Sequence, residues 1–219
     1  MKKIHCFVLL FLSVIAFNTA TPQPFSGDIA AFKKQDSVQF PPSHAILFIG
    51  SSSFTKWTGV QNYFPRYPII NRGFGGSTLP DVIRYADDII FPYHPKQIVI
   101  YCGENDLAAS DTVTAQDVLA RFKRLFTIIR NHYSKIPVAY VSMKPSPSRK
   151  HLMSKYWAGN TFIKNYLSSK KNTAFIDVYH KMLDAQGNPI KNIFIEDSLH
   201  MNSKGYAIWQ KAIQPYLKK

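Results

Sequence analysis

Residues 45–55 read Ala-Ile-Leu-Phe-Ile-Gly-Ser-Ser-Ser-Phe-Thr. Five apolar residues run without polar alternation into one glycine and three hydroxyl side chains. Strands buried on both faces read this way, and such strands belong to parallel sheets. Gly50 permits a sharp turn at the strand's carboxyl end. Four further runs, 68–71, 97–101, 137–141 and 173–178, have the same character. Helical stretches are expected between them. Residues 114–131 place apolar side chains at 118, 119, 122, 125, 126 and 129, a helical spacing, behind a Thr114/Asp117 capping pattern. Residues 150–167 and 203–217 are further helices, and 28–34 a short one before the first strand. Strands and helices alternating through the chain predict a three-layer α/β/α sandwich around a parallel five-stranded sheet. In such sheets function collects in the loops after the strands.

The chain has 219 residues, 46% of them hydrophobic, which suits one α/β domain. The first twenty residues stand apart. Lys2 and Lys3 precede an apolar run from Cys6 to Phe17, and Asn18-Thr19-Ala20 follow. That layout predicts a signal peptide over 1–20, a single domain over 21–219, and a secreted or periplasmic product. The apolar run is shorter than the ~20 residues of a membrane-spanning helix, so no transmembrane segment is expected in the mature chain. Cys102 would then be its one cysteine, and the core must hold the fold without a disulfide. The formal charge is +14, from 27 basic and 13 acidic residues. Loss of Lys2 and Lys3 leaves 25 against 13, or +12. Such a field favours an anionic surface or polysaccharide. The basic residues are scattered, densest at 144–155, without the basic-aromatic pattern of a nucleic-acid platform. No specific nucleic-acid partner is expected. No cluster has metal-ligand spacing and no dinucleotide or P-loop fingerprint is present, so neither cofactor nor metal is expected.

Four loops carry the chemistry. The first holds Ser51-Ser52-Ser53. The second, Asn71-Arg72-Gly73-Phe74-Gly75-Gly76-Ser77, allows backbone N–H groups to approach a ligand closely. The third, Gly103-Glu104-Asn105-Asp106, puts an amide at the end of a buried strand. The last is Asp197-Ser198-Leu199-His200, ahead of the final helix. Acyl transfer needs a hydroxyl nucleophile, a neutral histidine to take its proton, a carboxylate to orient that histidine, and donors for an oxyanion. These loops supply each at one sheet edge.

The four blocks resemble the GDSL, or SGNH, hydrolase family, in the family's order and over nearly all of the chain beyond residue 20. The resemblance implies a flavodoxin-like sheet and a carboxylic ester hydrolase. It implies Ser52 as nucleophile, Gly76 and Asn105 as oxyanion donors, and Asp197 and His200 as acid and base. Two positions depart from the pattern. Ser51 stands where the family usually has Asp, and Ser77 follows Gly76 where Asp is common. Alignment on Gly50 selects Ser52 over Ser51 and Ser53. Asp177 competes with Asp197 for the acid role but ends a strand and better suits a brace. Glu104 and Asp106 are expected to brace Asn105, and Tyr101, Trp57 and Trp209 to pack. Arg72 is placed to contact an anionic substrate. The expected substrate is a small-molecule or glycan ester, with a short acyl group or acetate, against a lysophospholipid or thioester. A second class of reading is a non-catalytic phosphate- or glycan-binding module built on the hydroxyl-rich loop at 51–55.

Overall fold

Strand β1 (Ile46–Gly50) is buried at every position. Leu47 and Ile49 enter one apolar cluster, and Ile46 and Phe48 enter another. A strand between two cores has no solvent face, which is why 45–49 shows no alternation. This computed structural model describes residues 23–219. The expected signal segment at 1–20 lies outside the described residues.

Around β1 stand β2 (Ile69–Gly73), β3 (Gln97–Tyr101), β4 (Val138–Val141) and β5 (Thr173–Ile176). All pair in parallel, in the order β2-β1-β3-β4-β5. The chain leaves β1 for β2, then reverses past β1 to build β3, β4 and β5. Right-handed crossovers running in opposite directions put their connections on opposite faces. One face therefore carries α1 (Ser26–Val38), α2 (Leu79–Arg84), α3 (Ala115–His132) and α4 (Met153–Ser168). The other carries the turns over 52–64 and α5 (Ser203–Ile213). This is the expected three-layer sandwich with flavodoxin-like strand order. The reversal falls between β1 and β3, the switch point at which such sheets bind ligands.

The element bounds differ from expectation for physical reasons. β2 continues to Gly73 because Asn71 and Arg72 pair with Phe48 and Ile49 in register. Their polar side chains are satisfied by the protein: Asn71 Nδ2 donates to the Phe54 carbonyl at 2.7 Å. β5 stops at Ile176, and the Val178 and Tyr179 N–H groups both donate to Ser142 Oγ at 3.0 Å instead. α4 starts at Met153, since Arg149 leaves helical geometry and 147–152 forms a 3₁₀ stretch. α5 ends at Ile213, ahead of Pro215, which cannot continue the hydrogen-bond ladder. α2 was not expected. It is too short to show a period, although Thr78, Pro80 and Asp81 form a legible start signal.

Beneath the loop after β1 lies an aromatic cluster. Trp57, Trp209, Tyr101, Phe48 and Phe54 are fully buried there. Trp57 stacks on Tyr206 at 4.9 Å, and Tyr101 meets Trp209 edge-on at 4.7 Å. Trp57, Tyr101 and Trp209 are packing residues, as their sequence setting suggested. They give the loop after β1 a rigid floor.

Gly50 has φ +132°, and a Cβ there would lie 1.9 Å from the Tyr101 carbonyl oxygen. Gly50→Ala is expected to abolish folding or to lower Tm by roughly 10 °C. A thermal melt within about 2 °C of the parent would contradict the close approach.

Candidate active site

The turn at Gly50 delivers three consecutive serines into three environments. Ser51 is buried, and its Oγ accepts a 2.6 Å bond from Asn105 Nδ2. Ser53 is also buried, and its carbonyl accepts the Tyr206 hydroxyl at 3.0 Å. Ser52 opens the one-turn helix Ser52–Thr55, with its Oγ 3.0 Å from His200 Nε2. Ser51 is extended ahead of the helix, and helical rotation of ~100° per residue then separates Ser52 from Ser53, so the three side chains diverge.

His200 and Asp197 come from one turn before α5. His200 Nδ1 lies 2.5 Å from Asp197 Oδ2, and the other carboxylate oxygen accepts the N–H groups of Leu199 and His200 at 2.9 and 2.8 Å. Burial pushes the Asp197 carboxyl up. The hydrogen bonds from the His200 ring and from the two amides outweigh it and hold the group at about 2. An ionised Asp197 accepts the hydrogen bond of Nδ1–H, so Nε2 is left to accept from Ser52. The turn is tied at several points. Ser198 has φ +56°, and its carbonyl accepts both the N–H and the Oγ of Ser148, at 3.1 and 3.0 Å. The Ile195 N–H donates to the His200 carbonyl at 2.8 Å. Asn202 caps α5 by accepting from the Lys204 N–H at 2.9 Å, and donates to the Asn192 carbonyl at 2.9 Å.

The opposite wall comes from the loops after β2 and β3. Gly76 has φ +85°, where glycine is at ease. Ser77 Oγ donates to the Gly50 carbonyl at 3.1 Å, tying this loop to the turn after β1. Neither the Ser52 N–H nor the Gly76 N–H has an acceptor among the described residues. Asn105 Nδ2 donates to Ser51 Oγ and, at 3.1 Å, to the Ser77 carbonyl. Its flanking acids brace it from two directions. Asp106 accepts the Leu79 N–H and Arg121 Nη1, both at 2.9 Å, joining the loop to α2 and α3. Glu104 accepts from Tyr101, from Lys144 Nζ at 3.1 Å and from Arg149 Nη1 at 3.0 Å. Burial raises the Glu104 carboxyl, but Lys144 and Arg149 overcome that and hold it below its ordinary value.

The structure thus brings together Ser52, His200, Asp197, Gly76 and Asn105, each from its expected loop. Asp177 is elsewhere. It pairs with His180 at 2.6 Å after β5, beside a 270 Å³ cleft lined by Trp157 and Lys164. Arg72 overturns an expectation. It is buried against Asp36, donates to the Tyr93 hydroxyl at 2.7 Å and lies over the Phe32 ring, so it braces α1 and meets no substrate. The basic run at 144–155 also misled. Lys144 is 1% exposed and forms an ion pair with Glu104. Arg149 enters the site, with Nη1 3.0 Å from Asn105 Oδ1. Spacing carries no signal for either, because a lysine and an arginine among prolines and serines read as surface. Among the described residues no group of three or more His, Cys, Asp or Glu side chains could hold a metal ion.

The sequence profile of the GDSL-like lipase/acylhydrolase family matches residues 28–208. The chain belongs to that family. No curated protein matches it. Solved structures share the fold at low identity. A Streptococcus pneumonia protein described as a candidate platelet activating factor is 20% identical, with 88% of this chain and 92% of that one covered and a TM-score of 0.76. A GDSL-like lipase from Bacteroides thetaiotaomicron is 19% identical, with 85% and 95% covered and a TM-score of 0.73. A catalytic serine-to-alanine mutant of an acetylxylan esterase from Geobacillus stearothermophilus is 13% identical, with 80% and 94% covered and a TM-score of 0.64. The GDSL blocks here lie at the switch point of the sheet, on the loops after β1, β2 and β3 and before α5.

The depressed Asp197 value gives a stability test. Its charge stabilises the fold fully above the ~4 of an unfolded aspartate and progressively less as pH falls to about 2. Asp197→Asn is expected to lower Tm at pH ~6 and to converge on the parent near pH ~2. An equal gap at both pH values would contradict the assignment.

Proposed function

We propose that this chain is a serine ester hydrolase that works through an acyl-Ser52 intermediate. One observation carries the reading. An unbroken hydrogen-bond chain runs Ser52–His200–Asp197, and the loops that carry the uncommitted Gly76 N–H and the Asn105 amide are tied by hydrogen bonds to the same Gly50–Ser51 turn. In the proposed reaction His200 Nε2 takes the Ser52 proton as Oγ attacks the ester carbonyl. Asp197 keeps the ring in the productive tautomer and stabilises the imidazolium. The Ser52 and Gly76 N–H groups hold the oxyanion, and Asn105 exchanges its bond to Ser51 Oγ for a third. His200 then returns the proton to the leaving alcohol. Water, deprotonated by the same ring, releases the acid and restores Ser52.

The binding-module alternative is weaker. Ser51 and Ser53 are buried and Ser51 Oγ is taken up by Asn105, while Ser52 Oγ meets His200, so the hydroxyls do not form one open anion cradle. For substrate we propose a short acyl group, acetate first, on a carbohydrate or similar small carrier. The glycine-rich loop at 73–76 supports close approach, and an acetylxylan esterase shares the fold. A lysophospholipid or thioester is the competing substrate class. Export after loss of 1–20 and contact of the basic chain with an anionic surface or polysaccharide complete the proposal.

Ser52→Ala is expected to lower kcat by several orders of magnitude. Asn105→Ala should cost roughly 10²–10³ in kcat. A fluorophosphonate probe should label Ser52 and leave Ser51 and Ser53 untouched. Retained activity or labelling in Ser52→Ala would overturn the mechanism. A series of nitrophenyl esters tests the substrate: a peak at acetate is expected, and a peak at octanoate or longer would favour the lipid reading.

A further inference from the structure

Asn105 serves an oxyanion only with its NH₂ end toward the reacting carbonyl. The two ends of an amide are nearly the same shape, so something must distinguish them. Ser51 Oγ does not, because a hydroxyl both donates and accepts. The Ser77 carbonyl does, accepting from Nδ2 at 3.1 Å. Arg149 does so more strongly, because a guanidinium has donors alone and carries charge. Its Nη1 donates to Asn105 Oδ1 at 3.0 Å and to Glu104 Oε1 at 3.0 Å. Glu104 is fixed in turn by Lys144 Nζ at 3.1 Å and by the Tyr101 hydroxyl.

Glu104 is shared between Lys144 and Arg149, so it does not neutralise Arg149 alone. The guanidinium therefore puts positive charge at Oδ1, the end of Asn105 opposite its donors. A cation on Oδ1 draws electron density through the amide and strengthens the Nδ2 hydrogens as donors, an effect of about 10–30% per linked hydrogen bond. At position 51 this chain has a neutral hydroxyl, whose bond to Nδ2 yields without moving a charge. Next to Arg149, Ser148 holds the carbonyl of Ser198 through its N–H and Oγ, at 3.1 and 3.0 Å. One dipeptide thus grips both the Asp197–His200 turn and the oxyanion amide.

We propose that Arg149 is a positioning residue for the oxyanion site: it fixes the orientation of the Asn105 amide and polarises it. This rests on the ester-hydrolase reading above. Arg149 acts through Asn105, so the two losses must overlap. The test is a double-mutant cycle on nitrophenyl acetate, with melting curves alongside. Arg149→Met is expected to lower kcat about 10–100-fold with KM within about twofold, below the full loss of an oxyanion donor. In the Asn105→Ala background the same change should cost less than about threefold. Arg149→Lys should recover part of kcat, since an ammonium keeps the charge and the donors but not the planar guanidinium that places Nη1 between the two acceptors. Additive losses, or a loss confined to KM, would overturn the proposal. If Arg149→Met melts before assay, Arg149→Lys takes its place in the cycle under the same criterion. Ser52→Ala separates the two readings. Turnover surviving in that variant overturns the hydrolase mechanism itself. Additive losses with an inert Ser52→Ala overturn the role of Arg149 alone.

Discussion

The contact between Gly50 and Tyr101 organises the site. The missing side chain at 50 lets the Tyr101 carbonyl sit where a Cβ would be, and the Ser51 N–H closes on that carbonyl at 3.0 Å. The loop after β1 is thereby locked to the end of β3, three residues before Glu104. The Gly50 carbonyl accepts the Phe74 N–H at 2.9 Å and Ser77 Oγ at 3.1 Å, which brings in the loop after β2. One residue without a side chain thus joins the loops that supply the serine, the glycine amide and the asparagine. Backbone hydrogen bonds to Tyr101 and from Phe74 set most of that spacing, and the Ser77 hydroxyl adds to it.

Buried charge marks two sides of the β1 region. Arg72, Asp36 and Tyr93 bind the end of α1 to β2. Glu104, Lys144 and Arg149 stand behind Asn105. Taking ions out of water costs several kcal/mol apiece, and pairing only about recovers it. Such clusters are therefore poor sources of stability. They do impose a geometry, because a buried charge tolerates few arrangements that leave it unpaired. Near Asn105 that geometry is the one the amide needs.

Much of the fold and the site was legible in the residues. The bare apolar runs at 45–49 and 97–101 announced strands with no wet face, and Thr114 with Asp117 announced the start of α3. Ser52, Gly76, Asn105, Asp197 and His200 were each read from short blocks. Those blocks encode local geometry: a strand end, a glycine turn, an acid three residues before its base. Arg72, Lys144 and Arg149 were not legible. Composition treats such residues as surface, and only long-range partners such as Asp36 and Glu104 reveal their burial.

The sequence by itself determined the parallel α/β class, the chain order of the loops and the short blocks on which the five candidate residues lie. Each of these depends on hydrophobic period or on contacts within a few positions. Tertiary structure alone decided that Ser52 and His200 meet across the chain, that Ser51 turns to Asn105, and what holds Asn105. Those choices depend on contacts spanning 148 residues in one case and 44 in another, between Ser52 and His200 and between Arg149 and Asn105. No local pattern reaches so far; the sheet order brings those atoms to one edge.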